Sequence, residues 1–242
     1  MKICLAQAQA VKGDIQSNIK NHLKMIEMAI RSNSDLIVFP ELSITGYEPK
    51  LAKKLAADLN DPRFDVFQEL ADINELVIAV GAPIKADNGI TISMLIFRPD
   101  QKRSIYSKQI LHEDEFPYFV SGTDQPFLEV KGLKIGMGIC YETLQPEHIV
   151  NAVENGADIY IASVSKPERG VDKAYLHFPA VAEEFGISIL MANSVGYCDK
   201  FMSHGHSSAW DISGNLCGQL DEKDQGVLIY DTTFEKSETY RS

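Results

Sequence analysis

The 242-residue sequence is short of tryptophan, with one, and of cysteine, with four, and it has no long apolar run. Its longest apolar stretches, such as residues 187–192, fall far below the ~20 residues that a bilayer-spanning helix needs. That argues against a membrane span. Cys4, Cys140, Cys198 and Cys217 are too few and too scattered for a disulfide framework and include no CxxC pair. They suit a reducing cytoplasm. Basic charge is also in deficit, with 23 Lys and Arg against 34 Asp and Glu, a formal net charge of −11. A surface this acidic argues against nucleic acid or an anionic membrane as partner, since either requires cations to neutralise phosphates. The first residues lack the charged n-region, long apolar core and small-residue cleavage site of a secretion signal, so none is expected.

What the chain does have is an ordinary globular composition, 45% hydrophobic and 24% charged, far from the regime of disordered sequences. No Pro-, Ser- or charge-rich linker divides it, and residues 1–242 are expected to form a single domain. Such a chain can bury roughly 70–75% of its unfolded surface. Residues 2–7 and 35–39 read as short buried strands. Between them Ile19, Leu23, Ile26 and Ile30 recur at helical spacing over 17–33, with Ser17 as candidate cap. A helical pattern over 63–74 precedes two strand-like runs, 76–82 and 90–98, joined through Asp87-Asn88-Gly89. Residues 107–125 lack periodicity and cluster acidic and aromatic side chains, the signature of a functional loop. Strands at 127–130, 133–139, 158–163 and 187–193, helices at 146–155 and 172–185, and a strand-rich C-terminal third follow. Helices and strands interleave, yet hairpins break a strict βαβ rhythm, which predicts a layered α/β sandwich with mixed sheets.

Three side chains stand where chemistry could be done. Cys140 ends the apolar strand 133–139 and precedes a helix beginning near Pro146. A nucleophile at such a strand-to-helix turn projects from a rigid edge with the next backbone N–H beside it. The competing reading is a buried structural cysteine. Glu41 follows Leu36-Ile37-Val38-Phe39-Pro40 and is either a solvated loop residue or a base whose proton affinity burial raises toward neutrality. Lys108 opens the long loop, and by itself reads as a solvated charge.

The combination says more than its members. Phe39-Pro40-Glu41, Tyr106-Ser107-Lys108, Glu115 seven residues before Gly122, and Gly138-Ile139-Cys140-Tyr141-Glu142 with Pro146-Glu147 resemble, in order and spacing, the nitrilase superfamily of carbon-nitrogen hydrolases. Ala6-Gln7, Asn193 with Gly196, and Gly205-His206-Ser207 followed by Asp211 and Gly214 extend the resemblance over nearly the whole chain. The resemblance implies a four-layer αββα sandwich with a catalytic triad of Glu41, Lys108 and Cys140, supported by Glu115. In these roles Glu41 would accept the thiol proton, while Lys108 and the Tyr141 N–H would hold the developing oxyanion. Glu142 and Asn193 are further candidates on the oxyanion or substrate side, with Glu142 alternatively holding the turn.

The implied reaction is hydrolysis of a small amide, ω-amide or carbamoyl amine through a Cys140 thioester, releasing ammonia or an amine and an acid. Acyl transfer to an amine, true nitrile hydrolysis and non-catalytic small-molecule binding are the alternatives. This chemistry calls for no metal or organic cofactor. Its partner is a small amide-type substrate, and homodimers or larger even oligomers are typical of the resemblance. Two departures stand out. Ser107 occupies a position where family members often carry Arg, which leaves the triad intact. The substrate-facing stretch 165–174 carries Lys166, Glu168, Arg169, Asp172 and Lys173; whether these read a ligand or are solvated loop charges stays open.

Other constellations are weaker. His204-Gly205-His206 has the spacing of paired metal ligands on a strand but no third ligand in recognisable relation to it. His112, His148 or His177 could pair with Cys140 in a Cys-His hydrolase, but Glu142 stands where a nucleophile elbow wants glycine. Cys198 could approach the pocket, and Cys4, Cys217 and Trp210 read as packing residues.

Overall fold

A computed structural model describes residues 1–123 and 126–241. The last two residues of the 107–125 stretch, Asp124 and Gln125, and the C-terminal residue of the expected 1–242 domain lie outside the described residues. In chain order the elements are β1 (Lys2–Gln7), α1 (Ile15–Arg31), β2 (Leu36–Val38), α2 (Ala52–Leu55), α3 (Asp65–Asn74), β3 (Val77–Ala86), β4 (Gly89–Phe97) and β5 (Ser104–Ser107). There follow β6 (Leu128–Val130), β7 (Leu133–Ile139), α4 (Pro146–Glu154), β8 (Ile159–Val164), α5 (Glu168–Phe185) and β9 (Ser188–Asn193). The chain closes with β10 (Val195–Cys198), β11 (Phe201–His204), β12 (Ser208–Trp210), β13 (Leu216–Gln219), β14 (Gly226–Asp231) and β15 (Lys236–Arg241).

Two mixed sheets face each other. One has the order β15-β14-β1-β2-β3-β4-β5 and the other β13-β12-β9-β8-β7-β6, with β10 and β11 forming a separate hairpin. Strand alternation decides which side chains meet where. Ile3 and Leu5 of β1, Leu36 and Val38 of β2, and Ile135, Met137 and Ile139 of β7 point into one apolar layer shared by both sheets. Their neighbours Cys4, Ala6 and Ile37 turn the other way, onto Ile19, Ile26 and Ala29 of α1 and Phe67 and Ala71 of α3. On the far side Tyr160, Ala162 and Val164 of β8 meet Ile149 of α4 and Phe178 of α5. Three apolar interfaces separating four layers make an αββα sandwich, and each buried Leu, Ile or Val in them stabilises it by roughly 1.5–3 kcal/mol.

Several local expectations are revised. Helix α1 starts at Ile15 and Asp14, not Ser17, caps it, its carboxylate accepting from Ser17 N at 3.0 Å and Ser17 Oγ at 2.8 Å. An ionised Asp is the stronger acceptor, so Ser17 becomes a donor to the cap. Of the charged stretch 165–174, residues 168–174 are helical, because α5 begins at Glu168, and 165–167 form the connection from β8. Within 107–125 a 3₁₀ turn covers Glu113–Glu115.

The turn at Pro40-Glu41-Leu42 is pressed against β3. Ile44 N donates to Gly81 O at 2.9 Å, and a Cβ built on Gly81 would lie 2.4 Å from Pro40 O and 2.5 Å from Leu42 N. Backbone atoms cannot retreat as a flexible side chain can. The substitution Gly81→Ala is therefore expected to destabilise the protein by about 3 kcal/mol, read as a lowered denaturation midpoint, and to disturb Glu41 through the same turn.

Candidate active site

Glu41 and Lys108 come from the first sheet and Cys140 from the second. Glu41 follows β2, whose extension is fixed by Phe39 N donating to Ala79 O at 2.9 Å and by Ser163 Oγ of the opposite sheet donating to Phe39 O at 2.8 Å. Lys108 follows β5, with its N donating to Ile92 O at 2.9 Å and its O accepting from Gly122 N at 2.8 Å. A Cβ on Gly122 would stand 2.4 Å from Ser107 O, so only glycine lets the returning loop lie this close to the lysine. Cys140 follows β7 with φ of +51°, a left-handed conformation that costs a non-glycine residue roughly 1–2 kcal/mol and turns its side chain out of the strand line.

These elements bring the sequence candidates together. Lys108 Nζ donates to Glu41 Oε1 at 2.9 Å and to Glu115 Oε1 at 2.7 Å, and all three side chains are buried. Glu115 also accepts from Tyr47 OH at 3.0 Å and from His112 N at 2.8 Å. Glu41 Oε2 has no hydrogen-bond partner among the described residues. Burial pushes the Glu41 carboxyl up, to about 7, against the opposing pull of the Lys108 ammonium and the neighbouring Cys140 thiol. Cys140 is likewise raised, to about 12, by burial and the Glu41 charge, with Lys166 and Lys108 acting in the opposite direction. Burial alone would lower Lys108, but Glu41, Cys140 and Glu115 hold its ammonium above the ordinary lysine value. Burial thus favours the thiol form of Cys140 and strengthens Glu41 as a proton acceptor, while the neighbouring carboxylates favour the ammonium form of Lys108.

Beside them opens a cavity of about 660 Å³ whose wall includes Lys108, Glu115, Cys140, Tyr141, Lys166 and Phe201. Its size suits a small molecule. Glu142 and Asn193, expected on the substrate side, instead lie behind the wall because their polar atoms are already engaged. Glu142 is fully buried and accepts from Tyr106 OH at 2.6 Å, Ile139 N at 2.7 Å, Gln109 N at 2.7 Å and Ile110 N at 3.0 Å. It thereby clips the segment after Lys108 to the Cys140 turn. Asn193 accepts from Lys166 N at 2.8 Å and donates to Gly205 O at 2.6 Å, fixing the backbone of Lys166.

The remaining candidates separate. His112 and His177 line the cavity, whereas His148 is buried between Tyr106 OH and Tyr160 OH, each at 2.8 Å. His204 and His206 stack at 5.1 Å, and among the described residues no group of three or more His, Cys, Asp or Glu is placed to hold a metal ion. Cys198 meets Ser203 Oγ at 3.3 Å and Ser165 Oγ at 3.6 Å, in the small space behind Glu41. All four cysteines are free; Cys4 is fully buried, while Cys217, read as a packing residue, is only partly so. Trp210 packs on Tyr175 and Phe178. Sequence reasoning missed Tyr47, which belongs to no motif and is drawn in only when the chain folds back on Glu115.

The pattern of the carbon-nitrogen hydrolase family matches residues 2–242, and the chain belongs to that family. A probable nitrilase of Schizosaccharomyces pombe is 28% identical over 94% of this chain and 87% of its own length. The glutamine-dependent NAD(+) synthetase of Acinetobacter baylyi is 26% identical over 90% of this chain, which spans only 41% of that protein. Among solved structures, the amidase of Nesterenkonia sp. AN1 superposes with a TM-score of 0.87 at 23% identity, covering 96% of this chain and 92% of the amidase. A mutant of that amidase carries the acetamide moiety of fluoroacetamide covalently at its active-site cysteine, and another is complexed with butyramide.

Replacing Glu142 by Gln preserves its shape but sets an NH₂ group against buried donors. Leaving such donors unmatched costs about 3 kcal/mol or more. Urea denaturation of Glu142→Gln is expected to show that loss.

Proposed function

We propose that the protein hydrolyses a small non-peptide amide, ω-amide or carbamoyl amine through a thioester on Cys140. The observation that carries this reading is the buried Lys108 ammonium bridging Glu41 and Glu115 beside a cysteine at the edge of a cavity. Glu41, raised to about 7, is the proton acceptor, and the Cys140 thiol, raised to about 12, is the nucleophile. Burial raises the proton affinity of both groups, so a fully formed thiolate is disfavoured in the resting site. Proton transfer therefore accompanies C–S bond formation, and no free thiolate accumulates.

As the substrate carbonyl becomes tetrahedral, Lys108 and the Tyr141 N–H receive the oxyanion, and a donor in this role is worth about 3–4 kcal/mol. Glu41 returns its proton to the departing ammonia or amine, then takes one from the water that opens the thioester. The free cysteines suit a reducing cytoplasm, and assembly into dimers or larger even oligomers belongs to this reading only through the family resemblance. Among the described residues no helix is long and apolar enough to cross a membrane.

Ammonia release from a panel of small amides and carbamoyl amines tests the reaction. Wild-type protein is expected to release ammonia and to show a covalent adduct with fluoroacetamide by intact mass, and Cys140→Ala to do neither. Failure of wild type on both counts refutes the proposal. The pH dependence has a definite sign. Glu41 accepts a proton only when ionised, so kcat/KM should fall about tenfold per unit below pH ~7, and Glu41→Gln should lose about 10²–10⁴-fold. A flat profile between pH 5 and 8, measured by initial rates, would remove Glu41 as the base.

A further inference from the structure

Lys166 is a second buried lysine in the site, and the triad does not use it. It follows β8, is 4% exposed and lines the cavity. Its Nζ donates to Cys140 O at 3.1 Å, and no Asp or Glu lies within ion-pair distance among the described residues. Lys108, by contrast, has two carboxylates. An ammonium has three donors, so two remain for something else. A charge buried without a counter-ion is a poor structural tie, because a neutral donor could hold one carbonyl without the desolvation.

On the α5 side of that wall Lys166 has a second lysine, and no carboxylate, beside it in the lining. Lys173 and His177 of α5 also line the cavity, and the Lys166 charge depresses His177 below the ordinary histidine value, after burial itself. Glu168 and Asp172 at the start of α5 are exposed and absent from the lining. The acidic groups that do face the cavity are Glu115, already bound to Lys108, and Asp114, which pairs with His112 at 2.5 Å. A protein of net charge −11 thus keeps beside its cysteine a buried lysine with no ion-pair partner among the described residues, whose ammonium form burial itself disfavours.

We propose that Lys166 binds an anionic group of the substrate, so that the favoured substrates are short amides carrying a carboxylate a few bonds from the reacting carbonyl. This rests on the amide-hydrolase reading above and narrows its substrate class. Because Nζ is hydrogen-bonded to the backbone of Cys140 itself, the carboxylate sits close to the scissile carbon. That geometry selects ω-amides of short dicarboxylic acids over long or neutral amides. Lys166 is a specificity residue here, and its contact is made in the ground state as well as in the transition state.

The test compares glutaramate and succinamate with the neutral amides valeramide and butyramide, using wild type, Lys166→Met and Lys166→Arg. Wild type should favour the carboxylated amides. Lys166→Met should lower kcat/KM for them by about 10–100-fold, chiefly through KM, with a loss at least tenfold smaller on the neutral amides; Lys166→Arg should restore part of it. Equal losses on charged and neutral amides, or no wild-type preference, would overturn the proposal and leave Lys166 as a general partner of the cysteine. Calorimetric titration of glutaramate into Cys140→Ala, with and without Lys166→Met, separates this from the hydrolase reading. Binding that weakens tenfold or more without Lys166 supports the anion site even if wild type releases no ammonia, an outcome that sinks only the hydrolase reading. Binding indifferent to Lys166 sinks the anion site.

Discussion

The site depends on one buried ammonium held between two carboxylates. Burying an ion costs several kcal/mol, and Lys108 offsets this with bonds of 2.9 Å to Glu41 and 2.7 Å to Glu115. One cation cannot satisfy two anions, and the surroundings divide it unequally. Glu115 accepts from Lys108, Tyr47 and His112 N, whereas Glu41 accepts from Lys108 and has beside it only the weak donor of the Cys140 thiol. The carboxylate with fewer donors is the one left to hold a proton. In the proposed reaction this asymmetry, more than proximity to sulfur, would distinguish a base from a support.

The sandwich makes that division possible because the parts of the site belong to different layers. Glu41 and Lys108 end strands of one sheet and Cys140 ends a strand of the other, so their spacing is the spacing of the sheets. Apolar packing sets it only loosely, since it is non-directional. Directional ties complete the job: Ser163 Oγ reaches across to Phe39 O just before Glu41, and Glu142 gathers backbone N–H groups from both sides of the Lys108–Cys140 junction. The left-handed backbone at Cys140 persists because these contacts over-determine it.

What could be read from the sequence divides along the same line. Alternation placed β1, β2 and β7, and helical spacing placed α1, because both signals reside in neighbouring residues. Glu41, Lys108, Glu115 and Cys140 were legible as four short motifs in order, although nothing local to any of them indicates that they meet. Asn193, and Glu142 in one of its two readings, were set toward substrate because a motif position does not say which way a side chain is engaged; only the backbone donors around them do, and they favour the turn-holding alternative for Glu142. Tyr47 and Lys166 could not be singled out, since their roles come from contacts across the fold. Among the charges of 165–174, burial separates Lys166 from its exposed neighbours Glu168, Arg169, Asp172 and Lys173, and burial is a property of the assembled sheets.

Lys166 also bears on the reaction itself. Its ammonium, with that of Lys108, is among the charges that restrain the Cys140 thiol from rising further. A carboxylate bound to Lys166 would screen that charge, so binding and activation draw on the same ammonium in opposite senses. Anion recognition should then strengthen association more than it speeds attack, because the sulfur loses part of the field that favours its negative form. Lys108 does not share this conflict: its counter-ions are fixed in the protein, and its capacity to meet the oxyanion is the same whatever charge the rest of the substrate carries. On the proposed reading, two lysines on opposite footings, one paired in advance and one left open, would allow a single small cavity to separate stabilising the reacting carbonyl from choosing which molecule presents it.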